Sequence, residues 1–347
     1  MSDHSRSSIT VAPHPKAGAG TSALALVNTA ALAEIVSMAD AIELTAAALK
    51  EISSDLVSAP ERNGVPVAPE GKLVLMPGAM AHLNRFGLKV LSLFPNAADH
   101  GLPGHQGLML LFDAGTGRPL CALDSHALTG LRTAAASAVA TRALSRTDSR
   151  CLALIGCGSL APLHAQAIAL VRPLDKIIIW GRTPANARRL ADECADRLGV
   201  KSIVAPSVQD AIAQADIVCT LTSSDVPVVE GRWLQPGQHF NLVGASTRAS
   251  REVDDTAVER GRFIVDCRAH ALSQAGELRH AIASGRVTEE HVVAEIGEVL
   301  AGRAVGRPDP QSITLYKSLG HVAQDIRVAD AAFSGLNRSQ HVVYVDW

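Results

Sequence analysis

The chain has 347 residues, 47% of them hydrophobic and 19% charged, with a formal net charge of −2. That is enough chain and enough apolar content for two ordinary domains, each with its own core. The near-neutral charge and 3% aromatic content argue against nucleic-acid surfaces, and no apolar run reaches the ~20 residues that span a bilayer.

Residues 1–22 mix Ser, Pro, Gly and Ala without an apolar targeting core and read as a disordered tail, with a transit peptide as the alternative. "ALALVN" then reads as a short strand. Two helical stretches follow, the second opening with Asp40 and Glu43 in capping-box register. From 72 to 124 the pattern turns to β, in "KLVLMPG", "FGLKVLSLFP", "GLMLLFD" and "PLCALD", with turn signals such as "DAGTG" between them. A mostly antiparallel sheet is expected there. From "LTGLRTAAASAVATRALS" onward the chain alternates: strand 151–155, helix 159–172, strand 176–180, and a helix from Thr183 with Pro184 at its first position. Strands near 202–204, 216–221, 239–243 and 262–266 continue the series, as a doubly wound parallel sheet requires. "HVAQDIRVADAAFSG" is a last helix that returns to the first domain. The cysteines at 121, 151, 157, 194, 219 and 267 have no CxxC spacing, which fits reduced thiols in a cytoplasmic protein; no disulfide and no metal site is expected.

The chemistry starts at "CLALIGCGSLAPLHAQAI". Apolar residues lead into Gly156, which permits a tight turn, and Gly158, which lets backbone amides approach a pyrophosphate. Ala161 replaces the usual third glycine, an accepted variant. The stretch Gly156, Cys157, Gly158, Ser159 and Leu160 thus reads as a dinucleotide cradle, with the helix that follows aiming its positive end at the phosphates. The next strand, "KIIIW", runs into Gly181, Arg182 and Thr183, where a cofactor without a 2′-phosphate calls for an acid. A guanidinium and a hydroxyl suit a 2′-phosphate and favour NADPH, with NADH used less well. The plainer reading makes Arg182 a solvated turn residue. Asn186 stands one turn on, on the phosphate or the adenine side.

With these residues placed, the chain resembles the ornithine cyclodeaminase/mu-crystallin family from about residue 23 to 335. The motifs that carry the likeness are "LTGLRTAAASAVATRAL", "APERNGV", "FGLKVLSLFPN", "GHQGLMLLFD", "WGRTPANA", "NLVGASTRASREVDD" and "ITLYKSLGHVAQD". The resemblance implies an α/β protein. Its Rossmann-type domain (131–319) would carry the cofactor, and a smaller α+β domain (23–130 plus 320–347) would bind substrate and dimerise. It also implies action on small α-amino or α-imino acids with a nicotinamide cofactor.

An α-imino acid carries a carboxylate, for which arginine is the best-matched side chain. Arg62 and Arg132 match the family's substrate-binding arginines, although Arg62 taken alone reads equally well as a surface loop residue. Lys89 is a charge inside an apolar β run, and such a charge needs a reason. A lysine snorkelling from an edge strand is one reason, and a substrate contact, which the resemblance favours, is the other. His105 matches a cofactor-side position of mu-crystallin-like members. Thr133 is expected near the cofactor phosphates, and Thr220, Leu221, Thr222 and Val243 near the nicotinamide half. Ser246 stands where cyclodeaminases carry an aspartate. A hydroxyl is a poor general base at neutral pH, so cyclodeamination is disfavoured and reduction is left intact. The expected function is NADPH-dependent reduction of Δ1-pyrroline-2-carboxylate or Δ1-piperideine-2-carboxylate to L-proline or L-pipecolate by a homodimer. The alternatives are an ornithine cyclodeaminase, an alanine-type dehydrogenase, and a crystallin-like protein that binds NADPH without turnover.

Overall fold

The structure, a computed structural model, describes residues 23–67 and 71–346; the tail expected over 1–22 lies outside them. β1 (Ala23–Val27) leads to α1 (Thr29–Ile35) and α2 (Met38–Ile52). Ser37 caps α2: its hydroxyl accepts from the Asp40 amide at 3.1 Å, and the Asp40 carboxylate accepts from the Ser37 amide at 3.3 Å. The capping box is therefore Ser37 with Asp40, not Asp40 with Glu43. Serine is a strong N-cap, and it starts the helix earlier, at Met38.

Five strands follow: β2 (Asn63–Val67), β3 (Gly71–Met80), β4 (Arg85–Leu93), β5 (His105–Asp113) and β6 (Pro119–Asp124). Then comes α3 (Ser125–Leu144) and the alternating series: β7 (Cys151–Ile155), α4 (Leu160–Ala169), β8 (Lys176–Trp180), α5 (Pro184–Leu198) and β9 (Lys201–Val204). It continues with α6 (Val208–Ile212), β10 (Ile217–Thr220), β11 (His239–Leu242), α7 (Asp255–Arg260), β12 (Arg262–Val265), α8 (Arg268–Gln274) and α9 (Gly276–Ala283). The remaining elements are β13 (Val292–Glu295), α10 (Ile296–Leu300), β14 (Thr314–Lys317), α11 (Val322–Ser334) and β15 (Val343–Asp346).

Among the described residues the strands form two sheets. The first has the order β15-β1-β6-β5-β4-β3-β2 and is antiparallel except where β1 runs parallel to β6. The second has the order β13-β12-β14-β11-β10-β7-β8-β9 and is parallel throughout. In it β7 is flanked by β8 on one side and β10 on the other, so strand order reverses at its carboxyl end. Such a switch point is where doubly wound sheets bind nucleotides.

The helix α3 joins the two sheets. Its face residues are mostly alanine, and it is buried nearly all round, as a helix packed between layers must be. One apolar cluster runs from Met109 and Leu111 of the first sheet, through Leu128, Ala135 and Val139 of α3, to Leu152 and Leu154 of the second. The opposite face of the second sheet has its own cluster, with Ala153, Ile155, Val218, Phe240 and Phe263. Arg172 closes the carboxyl end of α3 by donating to the carbonyls of Thr141, Arg142 and Ser145, at the end of the helix where carbonyls run out of intrahelical partners. The last helix, α11, packs back on β3, β4 and β5, as its sequence implied. No helix among the described residues is long and apolar enough to cross a membrane.

Candidate active site

Two groups of residues meet where α3 passes between the sheets. The first is built around Asp325 of α11, fully buried. Its carboxylate accepts from Lys89 Nζ at 2.7 Å and from Arg132 Nε at 3.1 Å. Lys89 lies on β4, a central strand, with no exposure at all. The edge-strand reading is thereby corrected: β3 and β5 cover both its flanks, and its ammonium is held by Asp325 and faces Thr129 Oγ1 at 3.4 Å. Burial, with the charge of Arg132 behind it and Asp325 opposing, pushes the Lys89 ammonium down to about 7.

Arg132, two turns into the buried helix, also donates from Nη1 to Gln324 Oε1 at 3.2 Å. The Gln324 amide nitrogen is buried and has no hydrogen-bond partner among the described residues. Gly320, at φ +81°, faces this guanidinium so closely that a Cβ there would collide with Arg132 Nη1. Only glycine accepts both that conformation and that approach. Arg62 reaches the same turn from the loop before β2 and donates to the Leu319 carbonyl at 2.7 Å. Asp266, after β12, holds the turn from the other side, accepting from the Leu319 and Gly320 amides at 2.8 and 2.6 Å. Three cationic side chains from three separate parts of the chain thus converge, with one carboxylate between two of them. Burial lowers the Arg62 guanidinium from its ordinary value, and Asp266 opposes the shift.

The second group is the nucleotide end of the parallel sheet. Gly156 has φ +119°, and a Cβ there would lie 2.7 Å from the Leu221 carbonyl oxygen, so the turn after β7 requires glycine. Gly158 and Ser159 are exposed, with open space over Gly158, and Ser159 starts α4 without a side-chain cap. The first amides of α4 are therefore offered outward, which suits a pyrophosphate. Cys157 and Leu160 line this turn, half-buried. A cavity of about 430 Å³ lies beside it, bounded by Trp180, Gly181, Arg182, Pro184, Val204 and Pro206. Arg182, Thr183 and Asn186 are exposed at its mouth, and Thr183 is the N-cap of α5 as expected. These features fit a dinucleotide with its adenosine end on Arg182.

The loops after β10 and β11 carry the residues expected near the nicotinamide half, and here the structure shows a residue the sequence reading missed. Glu252 is fully buried. It accepts from Thr220 Oγ1 at 2.7 Å, from the Thr222 amide and hydroxyl at 2.6 and 2.8 Å, and from the Gly244 amide at 2.7 Å. One carboxylate therefore ties together the loops that hold Thr220, Leu221, Thr222 and Val243. Burial raises its pKa, with Lys317 opposing. Ser246 sits half-buried in the same loop and forms no hydrogen bond among the described residues. Thr133 is buried on α3 next to Arg132, and His105 is at the exposed start of β5.

The same elements in the same order occur in known proteins. Residues 24–338 match the model of the ornithine cyclodeaminase/mu-crystallin family. A Δ1-pyrroline-2-carboxylate reductase of Bacillus cereus is 33% identical over 297 residues, covering 85% of this chain and 91% of that protein. Among solved structures, Thermococcus litoralis Δ1-pyrroline-2-carboxylate reductase in complex with NADH and L-proline superposes with a TM-score of 0.89. It is 31% identical, over 93% of this chain and all of the other. An archaeal alanine dehydrogenase dimer with bound NAD reaches 0.88 at 28% identity, over 94% and 99% of the two chains. With a match across nearly all the described residues, and a fold that agrees with it, the chain belongs to the ornithine cyclodeaminase/mu-crystallin family.

Proposed function

We propose that this protein reduces cyclic α-imino acids, Δ1-pyrroline-2-carboxylate or its six-membered homologue, to L-proline or L-pipecolate, with NADPH preferred over NADH. At the coarser level it is an imine-reducing oxidoreductase with a nicotinamide cofactor. The observation that carries the finer reading is the Arg132–Asp325–Lys89 cluster, which offers one cation for a carboxylate and one titratable group for a ring nitrogen.

Gly156 and Gly158 would hold a nicotinamide nucleotide, which when bound would supply the hydride. Arg132 and Arg62 grip the substrate carboxylate, and the free Gln324 amide donates a further hydrogen bond to it. Asp325 keeps Lys89 and Arg132 fixed relative to each other while both are out of water. Lys89 holds a proton at Nζ for the ring nitrogen, and burial brings its affinity for that proton close to neutrality, where a proton donor works best. Glu252 fixes the loops that position the nicotinamide half. Ser246 orients the imine or a water. Arg182 and Thr183 contact the 2′-phosphate. We further propose that the protein is a homodimer formed through its first sheet, and that the parallel-sheet part, 131–319, is the cofactor domain.

The test is cofactor oxidation with five- and six-membered cyclic imino acids, each with NADPH and NADH. Turnover with at least one ring, faster with NADPH, is the expected result. Ammonia released from ornithine without net cofactor consumption would replace this reading with cyclodeamination. Ring size stays a matter for the assay, since one methylene in a pocket is worth only ~1–3 kcal/mol.

A further inference from the structure

Behind the carboxylate clamp lies a group of side chains that the proposed reaction does not use. Cys267 directly precedes α8, His270 stands within its first turn, and His321 directly precedes α11. One potential ligand atom from each, the thiol sulfur and a ring nitrogen of either histidine, all lie within 4.8 Å of one another. The two imidazoles are stacked, with centroids 5.0 Å apart and planes inclined by 20°. Both rings are buried, whereas Cys267 is half-buried and leaves a way in from outside. No spacing in the sequence announces this group, because its third member comes from a distant helix.

Several features distinguish it from ordinary packing. His321 Nδ1 accepts from the Ala323 amide at 3.2 Å, which fixes the ring and leaves Nε2 for another partner. The His270 ring has no hydrogen bond among the described residues, and the amides of Ala269 and His270 lie toward the Cys267 sulfur. The carboxylates of Asp266, Glu61 and Glu295 lie near His270, as does the Arg62 guanidinium. Each carboxylate is already engaged: Asp266 by the Cys267 amide, Glu295 by the Arg268 amide and Glu61 by the Gln274 side chain. They provide negative surroundings without competing as direct ligands.

We propose that Cys267, His270 and His321 bind one divalent cation of the Zn²⁺ class, with the fourth position open to water. One thiolate and two neutral imidazoles are the borderline-soft donors that zinc and cobalt take in tetrahedral sites. Binding forms the metal–sulfur bond and sends the thiol proton to solvent, so affinity rises with pH. The site would join α8, which follows a strand of the nucleotide sheet, to the start of α11, which carries Gln324 and Asp325. The turn it would stiffen is the one on which Arg62 and Arg132 lean. The ion would act as a clamp behind the substrate site, not as a reactant.

The experiment is a Co²⁺ titration of chelator-treated, untagged protein, followed by optical absorption. One equivalent per chain, with tetrahedral visible bands and a thiolate-to-cobalt band in the near ultraviolet, is expected, with full displacement by Zn²⁺. Cys267→Ser should lose the near-ultraviolet band, and His270→Gln should weaken Co²⁺ binding by roughly tenfold or more. Absence of saturable binding overturns the proposal, as does an unchanged near-ultraviolet band in the Cys267→Ser protein. Should that variant fail to fold, unaltered affinity in His270→Gln is equally decisive. The readout is independent of turnover, so the outcome stands apart from the proposed reaction.

Discussion

Lys89 is a buried ammonium whose nearest anion, Asp325, is shared with a guanidinium. With its pKa brought down to about 7, the sign of the pH dependence is set. Reduction consumes a proton along with the hydride, so kcat/KM for the imino acid should fall as pH rises through about 7. Oxidation of the corresponding amino acid needs the neutral amine and should rise through the same value. Lys89→Met should remove the inflection from both profiles; an inflection that persists in the variant would assign it to another group. Arg132→Ala leaves the substrate carboxylate with Arg62 as its one remaining cation and frees Asp325 of one partner. A loss of about 2–5 kcal/mol in kcat/KM is expected, while Ser246→Ala should be much milder. Arg182→Ala should narrow the preference for NADPH over NADH, and equal affinity for both cofactors in the unaltered protein would remove that argument. These residues were legible because each breaks a local pattern: a lysine within a β run, an arginine within an alanine helix, an arginine where an acid would favour NADH. Asp325 and Glu252 break none. An aspartate in a helix and a glutamate in a loop look like solvated surface until the tertiary fold buries them, although the buried Lys89 required a counter-charge somewhere.

The elements show the same division. Periodicity and turn residues located α3, α4, α5 and the central strands of both sheets, since long patterned segments carry the strongest signal. The short strands β2, β13, β14 and β15 went unread, because four or five residues set no period and their pairing partners decide them. Helix ends shifted by a few residues, as with α4, which ends at Ala169 where the expectation ran to 172. The turn after β7 makes a sharp prediction at this scale. Gly156→Ala forces a Cβ into contact with the Leu221 carbonyl at a φ that side-chain-bearing residues rarely adopt. A cost of about 1–3 kcal/mol is expected, read as a lower Tm together with weaker nucleotide binding in a fluorescence titration. Unchanged affinity would mean that the nucleotide does not rest on this turn.

For the whole molecule, the first sheet bears on assembly. Leu26, Val65, Val67, Leu108, Val343 and Val345 are exposed along it, and an apolar sheet of this kind tends to be covered. A dimer in light scattering at micromolar concentration is the expected result, and a monomer would refute the assembly proposed here. The general architecture was open to the sequence because alternating strands and helices admit few topologies. The passage of α3 through both cores was not, since nothing in an alanine-rich helix says how many layers it touches.

The bond between Lys89 and Asp325 spans 236 residues of sequence, and that distance has a consequence for biosynthesis. During translation the strands carrying Lys89 leave the ribosome long before α11 does. Until residue 325 has been made, the ammonium has no anion to receive it, and the centre of the first sheet cannot close around it without a large desolvation cost. The nucleotide cradle at Gly156 and Gly158 has no such dependence on α11. A nascent chain is therefore expected to form the turn after β7, with β8 and β10 beside it, before its acid–base centre, and to become competent for turnover only when α11 docks.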